Sequence, residues 1–298
     1  MLGGADVLAQ QADAMVRMHA YGWLPDADPL QAAHSSTNIL VAVTYVNAYG
    51  RFSVSDKVCG FSFASTDVNG VPIPLSAAQK AGSFAAMNGI PGSIIYENAV
   101  GGPVAYQFAV SPSTGVPDVA LDGFLCLRSL ATGIDAVTGL SLTGPMAALS
   151  QRVRTGITEV QASGNLHGKP AIIVQGRADT LIPVNHASRA YLGLNAAVEG
   201  GSSKLRYIEV TNANHFDSFA SALPNVVVPL HVYLFRALDA LYANLRSGKA
   251  LPGSQVVRTV PRVSALTPIT ASNVPPIVDT PAALNQIQVS GSTVTLPN

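Results

Sequence analysis

Charge is scarce in this sequence. Asp, Glu, Lys and Arg make up 11% of 298 residues, and 17 basic side chains cancel 17 acidic ones. That balance argues against a nucleic-acid partner, because phosphate binding needs a clustered positive field. Cysteine is nearly absent too. Cys59 and Cys126 lie far apart, with no CxxC or Cys/His clustering to suggest zinc; they form a disulfide or remain two buried thiols. No apolar run approaches the roughly 20 residues needed to span a bilayer, so no membrane partner is expected. The start, Met-Leu-Gly-Gly-Ala-Asp, lacks the basic residues and apolar stretch of a secretory signal, and taken alone the chain reads as soluble and unexported. Internal repeats and low-complexity tracts are missing as well.

What is present is apolar and loop-rich: 48% hydrophobic residues with 26 Gly and 20 Pro. This length supports one large domain or two modest ones with a well-buried core. Low charge fits a surface that meets neutral or apolar ligands, and it fits a sparsely charged secreted protein equally well.

Organisation changes three times along the chain. In residues 1–50, "ADVLAQQADAMVRMHA" has the spacing of a helix with one apolar face, ended by Gly22 and Pro25. "NILVAVTYVNAYGRF" is a strand or a buried helix, which periodicity does not separate. Residues 51–143 are broken by Pro72, Pro74, Pro91, Pro103, Pro112 and Pro117, and read as an inserted lid or cap of loops and short helices. Residues 144–249 alternate helix and strand: "GPMAALSQRVRTGITEVQAS" a helix, "KPAIIVQ" a buried strand, "PVNHASRAYLGLNAAV" a helix, "SKLRYIEV" a strand, and "VPLHVYLFRALDALYANLRSG" a helix ending at Gly248. Such alternation predicts an α/β fold with a parallel sheet and right-handed crossovers. Residues 250–298, rich in Pro, Val, Thr and Ser, read as an extended tail wrapped over the body or partly loose.

The chemistry-bearing residues follow the two apolar strands. Asp179 lies in the loop after "AIIV", and His215, in "TNANHFDSF", lies in the loop after "LRYIEV". Both loops leave the same edge of a parallel sheet, where a carboxylate can fix the tautomer of an imidazole and free its other nitrogen to act as base. Asp after a strand is usually a turn former or helix cap, and a lone loop histidine is usually structural. Strand, acid loop, helix, strand and histidine loop in this order, however, match the C-terminal end of an α/β-hydrolase. Asp217 is a rival acid. His186, His231 and His19 fall in helical patterns and read as structural; Arg177 supports the loop or binds a carboxylate.

That order also requires a nucleophile before the acid, on a sharp strand-to-helix turn. "CGFSFAS" places Ser62 in G-x-S-x-A, but "SVSDKV" is a poor strand and no helix follows. No Gly-rich loop offers oxyanion donors, and only residues 39–46 offer a convincing strand ahead of the acid. The pattern is that of the second half of an enzyme.

Five stretches carry a family likeness: "MHAYGWLPDADPLQAAH", "VAVTYVNAYGRFSVSDKVCGFSFA", "GKPAIIVQGRADTLIPVNHASRAYLGLN", "LRYIEVTNANHFDSF" and "LYANLRSGKALPGSQVVRTVPR". Through them the chain resembles the C-terminal portion of the D-(−)-3-hydroxybutyrate oligomer hydrolases, esterases of polyhydroxybutyrate breakdown. The resemblance implies a serine esterase of α/β-hydrolase type, cleaving dimers and oligomers of 3-hydroxybutyrate with no metal or organic cofactor. Asp179 and His215 match the family's acid and base. Its nucleophile lies in an N-terminal half absent here, which leaves that half as a partner; the alternatives are a non-catalytic module or an intact esterase using Ser62. For location the resemblance implies export, with the cytoplasm as the other reading.

Overall fold

Two apolar runs, "AIIV" and "LRYIEV", become the centre of a parallel sheet in the computed structural model, which describes residues 3, 5–87 and 92–297. In chain order the elements are α1 (Val7–Ala20), α2 (Ser35–Gly50), β1 (Phe61–Thr66), β2 (Pro72–Ile73), α3 (Ala77–Met87), β3 (Ser93–Tyr96), β4 (Val104–Ala105), α4 (Leu121–Thr132) and α5 (Gly144–Glu159). They continue with β5 (Ala171–Gly176), α6 (Ser188–Glu199), β6 (Leu205–Val210), α7 (Phe219–Ala222), α8 (His231–Ser247), β7 (Gln255–Val257), β8 (Gln288–Ser290) and β9 (Thr293–Thr295). The chain forms two compact units, one of Met1–Ser35 with Ala162–Asn298, the other of Ser36–Gln161.

The first unit holds the parallel sheet, in the order β5-β6-β7. Ala171 pairs with Leu205 and the register runs unbroken to Gly176 with Val210. Period-2 alternation divides β6 between two cores. Leu205 and Tyr207 pack with Leu192 of α6, Val256 and Ile287, while Ile208 and Val210 pack with Tyr233 of α8, Val228 and Val257. Both faces of β6 are covered, so Leu205, Tyr207, Ile208 and Val210 are shared between two apolar cores and Glu209 is buried among them. Each fully buried side chain of the size of Ile208 contributes about 1.5–3 kcal/mol.

At β5, Ala171 N–H donates to Lys204 O and, just past the strand, Arg177 N–H donates to Val210 O. Odd-numbered residues therefore turn their backbone groups toward β6. Those of Ile172 and Val174 turn to the opposite edge, where no strand pairs among the described residues.

The tail expected to be extended is partly built into this sheet. Gln255–Val257 adds β7 beside β6, with Ile208 opposite Gln255, and β8 pairs antiparallel with β9. Arg236 of α8 holds it further by donating to the carbonyls of Val274 and Pro275 at 3.0 and 2.8 Å. The proline spacing hid β7 because three residues suffice when a parallel neighbour supplies the ladder.

In the second unit the 39–46 run resolves as helix. Ile39, Ala42, Val43, Val46 and Tyr49 face the core at helical spacing, whereas Leu40, Val41 and Tyr45 are exposed. The run therefore adds no strand ahead of Asp179. Residues 51–143, expected as loops and short helices, contain an antiparallel sheet of order β2-β1-β3-β4, with Phe61 opposite Tyr96 and Ser62 opposite Ile95. Phe61 packs on Tyr96 and on Phe124 of α4, at ring-centre distances of 5.5 and 4.9 Å. Cys59, just before β1, and Cys126 in α4 form a disulfide, which settles the choice that their spacing left open. Helices α2 and α5 approach so closely that a Cβ at Gly156 would sit 2.0 Å from Tyr49 O; only glycine fits there.

Candidate active site

The carboxyl ends of β5 and β6 release two loops that are sewn together before any side chain meets. Ala178 N–H donates to Ala213 O at 3.1 Å, and a Cβ on Gly176 would lie 2.2 Å from that same oxygen. Glycine at the strand end is what lets the loops close. Asn214, 1% exposed, fastens them further, its Nδ2 donating to Ala178 O at 2.7 Å and to Thr180 Oγ1 at 3.1 Å. Asn212 adopts a left-handed backbone, φ 55°, a conformation that asparagine tolerates better than most residues.

Those closures bring Asp179 and His215 together. His215 Nδ1 donates to Asp179 Oδ2 at 3.1 Å. The carboxylate is 5% exposed, and its other oxygen accepts the backbone N–H groups of Leu181 and Ile182 at 2.9 and 2.8 Å. Gln175 Nε2 approaches Oδ2 at 3.4 Å and is itself anchored on Ile182 O at 2.6 Å. Asp179 is thus held by backbone on one oxygen and reads the imidazole with the other. With the proton of His215 kept on Nδ1, Nε2 is the basic nitrogen. The ring is partly exposed and stands edge-on to Phe216, with ring centres 4.8 Å apart.

The other candidates are occupied elsewhere. Asp217 accepts the N–H groups of Leu230 and His231 at 2.6 and 2.9 Å, and pairs with His231 Nδ1, so the rival acid caps the start of α8. His186 bonds Tyr21 O at 2.7 Å, and His19 pairs with Asp28, which also takes the Trp23 indole N–H at 2.8 Å. Ser62 lies inside β1, opposite Ile95, and donates to Glu97 Oε1 at 2.5 Å. An extended antiparallel strand is not a strand-to-helix elbow, and that hydroxyl is bonded to a carboxylate. Arg177 is in an ion pair with Glu209 at 2.5 Å. Among the described residues, no group of three or more His, Cys, Asp or Glu side chains could hold a metal ion, and no helix is long and apolar enough to cross a membrane.

Sequence reasoning missed Gln175 and Asn214. Gln175 had a signal, an amide closing the apolar run "AIIV"; Asn214 had none beyond standing next to His215. Replacing Asn214 by alanine removes both donors that clamp the loops, and is expected to lower unfolding free energy by about 1–3 kcal/mol. Urea denaturation checks this, and a midpoint equal to that of the parent would mean the clamp carries nothing.

An imidazole oriented by a bonded, buried carboxylate at the carboxyl edge of a parallel sheet defines an α/β protein with a site able to take and return a proton. Comparison with known proteins goes one step further. The chain belongs to the 3HB-oligomer hydrolase (3HBOH) family, whose model matches residues 1–298. It is 47% identical over 311 residues to the D-(−)-3-hydroxybutyrate oligomer hydrolase of Polaromonas naphthalenivorans (strain CJ2), covering 99% of this chain and 42% of that protein. It is 44% identical over 313 residues to the same-named protein of Cupriavidus pinatubonensis (strain JMP 134 / LMG 1197), covering 100% and 43%. For that of Ralstonia pickettii the identity is 47% over 313 residues, covering 100% and 40%. The chain thus spans about two fifths of the length of these curated relatives. No solved structure matches it.

Proposed function

We propose that this chain supplies the acid and base of a serine esterase that hydrolyses 3-hydroxybutyrate dimers and oligomers. The observation that carries the reading is the His215–Asp179 hydrogen bond, in a chain of this family, with the carboxylate fixed by two backbone N–H groups. On this reading the parallel sheet is the C-terminal part of an α/β-hydrolase body, and a segment outside these 298 residues brings the serine. Its hydroxyl attacks the ester carbonyl while His215 Nε2 takes the proton. Asp179 steadies the imidazolium, which then protonates the departing 3-hydroxyl; water releases the acyl group by the same steps. No cofactor enters. The Cys59–Cys126 disulfide favours an oxidising compartment, and so export.

The test is complementation. The chain alone is incubated with 3-hydroxybutyrate dimer, then again with the remaining portion of a full-length relative added. Release of monomer only in the second assay is the expected result. Activity of the chain alone that disappears in Ser62→Ala would replace this reading with an intact esterase. Absence of activity in both leaves a non-catalytic module.

A further inference from the structure

The mechanism makes no use of the most heavily charged buried cluster. Glu209, fully buried in the middle of "RYIEV", accepts Arg177 Nε and Arg189 Nη2 on one oxygen, at 2.5 and 2.7 Å. Its other oxygen accepts Arg189 Nε and the Tyr207 hydroxyl, both at 2.8 Å. Burial alone would raise this carboxyl, but the hydrogen bonds and charge of Arg189, with those of Arg177, carry it below the ordinary glutamate value. Glu209 is therefore anionic and its acceptor positions are filled. Two guanidiniums share it, leaving one positive charge in excess in this cluster.

That excess borders open space. A cavity of about 720 Å³ is lined by Leu24, Asp26, Arg177, Arg189, Thr211 and Leu296, among others. Arg177 is 7% exposed and uses two donors on protein, Nε on Glu209 and Nη2 on Pro297 O at 3.2 Å. Its Nη1 meets no protein acceptor among the described residues, so donors of a nearly buried guanidinium remain for whatever occupies the cavity. The same wall holds Asp26 and Arg258, of opposite charge, so the surplus cation of the cluster is not cancelled; beside unfilled donors it favours an anion, and a forked guanidinium matches the two oxygens of a carboxylate. Leu24 and Leu296 give the same cavity apolar wall for an aliphatic stem.

We propose that this cavity binds a small aliphatic carboxylate, with Arg177 and Arg189 as its positive wall. In naming the ligand the inference rests on the reading above: the free acid end of a 3-hydroxybutyrate oligomer, or the released monomer, has this chemistry. Arg177 is then a binding residue rather than only a support for the loop that carries Asp179.

Calorimetric titration of the chain with sodium 3-hydroxybutyrate, its methyl ester and the dimer acid tests this. The acid is expected to bind at least about tenfold more tightly than the ester, the difference made by one charge-assisted hydrogen bond. Dimer binding more tightly than monomer identifies an acid-end anchor, and equal affinity a product site. Arg177→Lys keeps the charge but loses the fork, and Leu24→Trp fills the cavity without touching the ion network; each is expected to weaken binding by about tenfold or more. Asp217→Asn, which touches only the cap of α8, is expected to leave binding unchanged. Equal affinity for acid and ester, undiminished binding in a folded Leu24→Trp variant, or full displacement by chloride, which marks an adventitious ion only, would overturn the site. Because binding is read without turnover, a failed complementation leaves this result standing, and a failed titration leaves hydrolysis standing.

Discussion

Replacing His215 by alanine in the complemented enzyme is expected to lower kcat/KM for the 3-hydroxybutyrate dimer by about 10⁴-fold, and Asp179→Asn to do nearly as much. The asparagine keeps the shape of the loop, since its Oδ1 can still accept from Leu181 and Ile182. What it loses is the tautomer. An amide nitrogen facing Nδ1 donates where the carboxylate accepted, the imidazole proton moves to Nε2, and the base is gone. The loss therefore falls on kcat with KM little changed, which steady-state kinetics separates. Asp217→Asn provides the contrast: it weakens only the cap on α8, costing about 1 kcal/mol of stability with activity retained. A large kinetic loss in Asp217→Asn alongside a normal Asp179→Asn would reverse the assignment of the acid.

The second large effect is structural. The Cys59–Cys126 disulfide closes a loop of 67 residues around β1, β3 and α4. Removing such a closure returns entropy to the unfolded chain worth about 4 kcal/mol. The double variant Cys59→Ala with Cys126→Ala, or the parent under reductant, is expected to melt on the order of 10 °C lower. Calorimetry with and without reductant checks it. Identical melting curves would show that the core around Phe61, Tyr96 and Leu127 holds the unit without the crosslink.

How much of this could be read from the sequence depends on whether the deciding interaction was local. Strands β5 and β6 declared themselves because burial on both faces enriches them in β-branched and other apolar residues, and the pairing of Asp179 with His215 was legible because each follows such a strand by a short loop. The antiparallel sheet was not. Its strands have two to six residues, and Phe61 finds its partner in Tyr96, beyond several prolines and glycines, so no window of sequence contains both halves of the pair. The run at 39–46 was ambiguous in composition and is settled by packing, since Val43 and Val46 are buried while Tyr45 between them is not. Glu209 had a signal that went unread. A carboxylate inside a buried strand has to find cationic partners, and Arg177 and Arg189 were within reach of that question.

The unpaired side of β5 has a consequence for the chain as a material. Ile172 and Val174 turn backbone donors and acceptors to an edge with no strand beside it among the described residues, on an apolar ladder without a proline or charge to blunt it. Such an edge is a template that accepts any extended segment offered to it, including the β5 of a second molecule. Self-association of the isolated chain, growing with concentration, would follow from pairing of that kind. A strand supplied beside β5 would act as a solubiliser as much as a structural element.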